Sequence, residues 1–225
     1  PVADVVDIAR EQGARVHVDA AYGGFFTLLS DRDDELVASR HFDAISRADS
    51  ITIDPHKHGL QPYGCGCIIH ADRRAADCYA HESPYTYLDG EQTHFGQIQF
   101  ECSRSGAAAA ALWATLQHIP LSPESGMGPR LASSRRTALA WWKALESSSI
   151  LRPVLRPETD IVGFAPFPAE AETVDASQIS RWSHQVRELG EQLDEGSFHV
   201  ATYAVPEETI SAAWPEVTMD ESKVT

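Results

Sequence analysis

The sequence predicts an α/β fold followed by a smaller α+β domain, and three observations carry that reading. Short β-branched runs end on an acid followed by small residues or proline, helical patterns stand between and after them, and beyond residue 147 the segments shorten as prolines accumulate. Residues 2–12 set Val2, Val5, Val6, Ile8 and Ala9 on one helical stripe, and Gly13 is a natural stop. Arg15-Val16-His17-Val18-Asp19 then reads as a short buried strand. The small residues after it, Ala20-Ala21-Tyr22-Gly23-Gly24, suit a backbone packed close to something at the strand's carboxyl edge, where open α/β sheets bind ligands.

The same rhythm returns at residues 48–54, a β-branched run broken by Pro55 and followed by His56-Lys57-His58-Gly59. Residues 64–70 form the next candidate strand. Residues 79–102 are aromatic and polar without a period, which suits a long functional loop. From Ser105, Gly106 and a run of alanines lead into a helix whose small residues allow close packing, and a second helix covers about 128–147 with Ala138, Trp141, Trp142 and Leu145 on its apolar face. Further strands are expected near 151–156, 161–166 and 198–204, and a helix near 176–194, with Pro153, Pro157, Pro166 and Pro168 as boundaries. Ser147-Ser148-Ser149 sets the expected division into domains 1–149 and 150–225.

Composition narrows the classes. Hydrophobic residues at 43% and charged residues at 23% are ordinary for a soluble globular chain of 225 residues, and no apolar run has the length of a membrane span. Of 33 acids and 18 bases, 19 and 15 lie in residues 1–157, which leaves 14 and 3 in residues 158–225 and a net charge of −15 overall. An acidic surface of that kind repels phosphate backbones, so a nucleic-acid partner is not expected. Cys65, Cys67, Cys78 and Cys102 follow no secreted disulfide framework, and reduced thiols in a cytoplasmic protein are expected. The chain opens on Pro1 and reads at once as the interior of a folded unit, so it is expected to be the C-terminal part of a longer protein.

Asp19 and Lys57, 38 residues apart, are each delivered by a strand end and should reach one sheet edge. An amine and a carboxylate so placed have a specific use: the amine forms a Schiff base with an aldehyde cofactor, and the carboxylate keeps the cofactor's ring nitrogen protonated. Only Lys57, Lys143 and Lys223 stand against 15 arginines, and arginine is a poor nucleophile. From these residues alone, a catalytic Lys57 and an ordinary surface lysine both stay open. His56, His58, Cys65, Cys67 and His70 suggest zinc by composition, but a single residue between the cysteines is short of structural-site spacing and no metal is expected.

His17-Val18-Asp19-Ala20-Ala21-Tyr22-Gly23-Gly24 and Asp49-Ser50-Ile51-Thr52-Ile53-Asp54-Pro55-His56-Lys57 resemble the two signature segments of the group II amino-acid decarboxylases dependent on pyridoxal phosphate (PLP). The resemblance covers roughly residues 1–165. It implies fold type I, the aspartate-aminotransferase-like architecture, with part of the large domain and its mostly parallel sheet plus a small C-terminal domain. It also implies a cytoplasmic homodimer that converts an L-amino acid, of the aromatic or tyrosine kind, to its amine. Lys57 is implied as the Schiff-base lysine, Asp19 as the pyridinium partner and Ala21 as the residue against one ring face, with His17 and His56 lining the pocket. Asp54 falls where relatives place a group near the cofactor phosphate, although an acid there repels phosphate unless its backbone makes the contact.

Pro84-Tyr85-Thr86-Tyr87-Leu88 is similar to the catalytic loop of the aromatic decarboxylases, which makes Tyr87 the candidate general acid with Tyr85 second. Glu101-Cys102-Ser103-Arg104-Ser105-Gly106 resembles a segment that places Arg104 near the phosphate or a partner subunit. His58 departs from the apolar or aromatic residue usual after the lysine. The alternatives are another carbon–carbon lyase of the sphingosine-phosphate-lyase kind, disfavoured because Tyr63-Gly64 replaces that branch's Lys-Gly, and a noncatalytic remnant of the fold.

Overall fold

The computed structural model describes residues 1–30, 35–78, 105–167, 173–174, 176–192, 200–215 and 218–219. The chain forms two compact units, Pro1–Ser133 and Ser134–Thr225.

In the first unit, α1 (Val2–Glu11) ends where Gly13 takes a left-handed φ of 64°, a conformation that glycine adopts without the strain of a Cβ. Val6, Val16 and Ala48 form its core cluster, with Val2, Ala9, Val18 and Ile51 packed against them. Of the expected stripe, Val5 (54% exposed) and Ile8 (61%) face outward, while Ala3 is buried in their place. The five apolar residues reach beyond the covered face, and at 100° per residue Val5 falls on its flank and Ile8 further round.

β1 (His17–Asp19) and β2 (Ser50–Ile53) pair in parallel, with His17 opposite Ser50 and Asp19 opposite Thr52. β3 (Cys67–His70) adds antiparallel to β2, giving the order β1-β2-β3. Strand side chains alternate between faces, so with Val18 and Ile51 packed toward α1, His17, Asp19, Ser50 and Thr52 share the opposite face. A 3-10 helix at Gly24–Leu29 buries Phe25, Phe26 and Leu29, and short α2 (Ser39–Ala44) follows; neither was anticipated from the sequence. No residue of α3 (Ala107–His118) is buried and Trp113 is 66% exposed, so the close packing expected of its small residues is not found among the described residues.

α4 (Met127–Glu146) carries the division between the two compact units, which falls after Ser133. On it Ala138 and Leu145 are buried, while Trp141 is 47% exposed.

In the second unit, β4 (Leu151–Pro153) pairs antiparallel with β5 (Phe164–Pro166), and β6 (Thr173–Val174) pairs in parallel with β7 (Thr218–Met219). α5 (Ala176–Gln192) and α6 (Glu207–Ala213) complete it. The core is Val154, Ala165, Phe167, Ile210 and Trp214, with Ile179 and Trp182 against it. Phe167 and Trp214 stack at 5.6 Å, the Arg152 guanidinium lies 4.4 Å over the Phe167 ring, and the indole N–H of Trp214 donates to the Pro153 carbonyl at 2.9 Å. The strand expected near 198–204 does not form over residues 200–204, which are irregular. A β-favouring composition there gains no ladder partner among the described residues, and without one it does not make a strand. Among the described residues no helix is long and apolar enough to cross a membrane.

Candidate active site

Asp19 closes β1, and Lys57 lies four residues past the end of the adjacent parallel strand β2, so both belong to the carboxyl edge of one parallel pair. The chain turns sharply after β1. The Ala21 amide donates to Asp19 Oδ1 at 3.1 Å, and the Ala21 carbonyl accepts from the Asp54 amide at 3.1 Å. The first bond fixes the carboxylate by one oxygen; the second ties the end of β1 to the start of the lysine turn. His17 is bracketed by β2, its Nδ1 2.8 Å from Ser50 Oγ and its Nε2 3.3 Å from Thr52 Oγ1. Ser50 and Thr52, two apart on a strand, present both hydroxyls to one face, which is why one ring meets both.

The lysine segment is a closed turn. The Lys57 amide donates to Asp54 O at 3.0 Å, and both the His56 amide (3.1 Å) and His56 Nδ1 (3.0 Å) face the Cys65 carbonyl. Facing a carbonyl, Nδ1 must carry the ring proton. His58 Nδ1 lies 2.9 Å from the Tyr22 carbonyl, and its ring meets Tyr22 and Phe26 edge-on at 4.6 and 4.9 Å. Gly59 packs flat on Pro55, Leu60 takes a left-handed φ of 60°, and buried Gln61 donates to Gly59 O at 3.1 Å and to Thr115 Oγ1 on α3 at 2.8 Å. Lys57 Nζ reaches Asp54 Oδ2 at 2.9 Å, and His56 Nε2 stands 3.6 Å from the same oxygen.

Cys65 is buried, with its thiol 3.8 Å from the Ala108 carbonyl, and Cys67 opens β3 opposite Ile53. Burial, and secondarily the neighbouring Cys65, push the Cys67 thiol above its usual range. Among the described residues no group of three or more His, Cys, Asp or Glu is arranged to hold a metal ion.

Of the residues singled out in the sequence, Asp19, Ala21, Asp54, His56 and Lys57 thus belong to the linked carboxyl ends of β1 and β2, while His17 opens β1. Tyr85, Tyr87, Arg104 and Cys102 lie outside the described residues. Sequence reasoning missed Ser50 and Thr52 as the bracket of His17, and the Tyr22 and Cys65 carbonyls as the anchors of His58 and His56. Only the Ser50/Thr52 pair left a signal, two hydroxyls at strand period.

A lysine amine and a carboxylate at the carboxyl edge of adjacent parallel strands are an arrangement that suits fold type I enzymes working through a pyridoxal cofactor. Residues 1–120 match the pyridoxal-dependent decarboxylase conserved domain, more than half the chain, and the chain belongs to that family. Over 166 residues it is 32% identical to a probable L-tyrosine/L-aspartate decarboxylase of Methanothermobacter thermautotrophicus, an alignment covering 73% of this chain and 42% of the relative. It is 27% identical over 226 residues to the L-tyrosine decarboxylase of Levilactobacillus brevis, covering 84% of this chain and 36% of that protein. The chain therefore spans less than half the length of these relatives. The crystal structure of Catharanthus roseus tryptophan decarboxylase in complex with L-tryptophan superposes with a TM-score of 0.68 at 19% identity, over 96% of this chain and 46% of that one, and shares the fold.

The family's cofactor is PLP, and the donor set here fits it. Lys57 offers a primary amine, and Asp19 Oδ2 accepts no hydrogen bond from the described residues, which leaves an anionic acceptor for a pyridinium N–H.

Proposed function

We propose that the protein removes the carboxylate of an L-amino acid as carbon dioxide and releases the amine, with Lys57 carrying PLP. The observation that bears most weight is the parallel pairing of β1 with β2, which brings the Asp19 and Lys57 segments to one edge. In this reading Asp19 holds the ring N–H, Ala21 packs on a ring face, and His17 and His56 line the pocket. The bound cofactor supplies the electron sink for the bond to the lost carboxylate. Tyr87 returns a proton to the substrate carbon, with Tyr85 as its understudy. Arg104 meets a phosphate or a partner subunit.

A tyrosine-like substrate is favoured by the run Asp54-Pro55-His56-Lys57-x-Gly-x-x-Pro-Tyr and by relatives named for tyrosine and for tyrosine or aspartate. We further propose a homodimer in the cytoplasm, the latter on cysteines that follow no disulfide framework, and functional domains divided at 149/150.

The test is amine and carbon dioxide release over a panel of L-tyrosine, L-aspartate, L-tryptophan and L-glutamate. One substrate should dominate, and Lys57→Ala should abolish its turnover. Release that survives Lys57→Ala, after free cofactor has been removed, refutes the assignment.

A further inference from the structure

Asp54 is the least expected member of the site. If its side chain served a cofactor phosphate, two anions would face one another; the geometry gives it another task. Its Oδ2 stands 2.9 Å from Lys57 Nζ but 3.6 Å from His56 Nε2, so the lysine is its bonded partner and the histidine only a neighbour. His56 Nδ1 is directed at the Cys65 carbonyl, so that ring has an anchor of its own apart from Asp54. Asp54 is also the better fixed end of the pair: its side chain is 17% exposed against 34% for Lys57, its amide is tied to Ala21 O, and its carbonyl accepts the Lys57 amide.

We propose that Asp54 is a positioning residue that holds the Lys57 ammonium in the cofactor-free protein and releases it when the aldehyde arrives, and that it takes no part in binding the phosphate. This rests on the reading of Lys57 as the cofactor lysine. In loading, the lysine nitrogen must first leave Asp54 and give up a proton to expose its lone pair. It then bonds to the aldehyde carbon, and the carbonyl oxygen departs as water, two protons of the original ammonium leaving with it. The ion pair opposes the first of these events, so Asp54 sets how fast the lysine is captured.

The test uses cofactor-free protein as wild type, Asp54→Asn and Asp54→Ser. Each is exposed briefly to pyridoxal or to pyridoxal phosphate, borohydride fixes the new C–N bond as a secondary amine, and peptide mass mapping reads the adduct at Lys57 against exposed Lys143. Both variants should form the Lys57 adduct about two- to fivefold faster with both aldehydes, the range that a partly exposed ion pair commands, with Lys143 unchanged. An unchanged or slower Lys57 rate overturns the proposal. So does a gain confined to pyridoxal phosphate, which would assign Asp54 to the phosphate, and so does an equal gain at Lys143, which would mark loss of structure. Failure of the underlying reading looks different: wild-type adducts would then spread over the lysines by exposure, without preference for Lys57.

Discussion

Gly59→Ala is the sharpest perturbation of the lysine turn. A Cβ at residue 59 would sit 2.6 Å from Pro55 Cα, 2.7 Å from Pro55 O and 2.8 Å from Phe25 Cζ. Carbon atoms rest about 3.5–4.0 Å apart, so the overlap is about 1 Å, and two of the three obstacles are backbone that no rotamer change moves. Pro55 O is itself held by the Gln61 amide at 3.0 Å, and Phe25 is buried, which closes the easy routes of relief. Overpacking of this kind costs about 1–3 kcal/mol. At about 2–4 °C per kcal/mol for a chain of this size, a cost of about 2 kcal/mol lowers Tm by about 4–8 °C. Lys57, two residues upstream in the same turn, should shift with it, and the yield of cofactor adduct at Lys57 should fall. Thermal unfolding followed by near-UV circular dichroism reads the first effect and peptide mass mapping the second. A Tm within about 1 °C of wild type together with full adduct yield would refute the claim that the turn is closed against Pro55.

Two further outcomes follow from packing and charge. Phe167→Ala removes a fully buried ring that stacks on Trp214 beneath Arg152, and urea unfolding should report a loss of about 3–5 kcal/mol in the second unit with the Lys57 adduct unaffected. The Val16 amide, at 2.8 Å, and then Arg10 hold the Asp49 carboxyl below its ordinary value of 3.8. A depressed folded-state value means that this stabilisation is complete above about pH 4 and is lost as pH falls through the lower folded value, so Asp49→Asn should flatten the acid limb of urea midpoints measured from pH 6 to pH 3.

What the sequence disclosed followed from how local each signal was. β1 and β2 were legible because their β-branched runs stop at an acid and at a proline. The helix Gly24–Leu29 was not, because Gly-Phe-Phe-Thr-Leu-Leu is a nearly continuous apolar run with no period to read, and six-residue α2 is too short to show one. The candidate site was legible as two segments, Asp19 and Lys57, since each is delivered by a strand end. Their cross-connections were not. The Tyr22–His58 contact spans 36 residues and Gln61–Thr115 spans 54, and both depend on tertiary packing that leaves no trace in residue type. α1 shows the reverse failure: its apolar pattern was plain, but the covered face is shifted to one side of the stripe, taking in Ala3 and leaving Val5 and Ile8 exposed.

The turn that bears Lys57 is moored on three sides, to Cys65, to Tyr22 and to Thr115. With its neighbours so anchored, the readiest freedom of the lysine is rotation within its own four-carbon arm. Rotations of an exposed arm take picoseconds to nanoseconds, whereas loop opening takes nanoseconds to microseconds. Such an amine searches for its reaction partner at the speed of a side chain, and the ion pair with Asp54 is the contact that it must first leave.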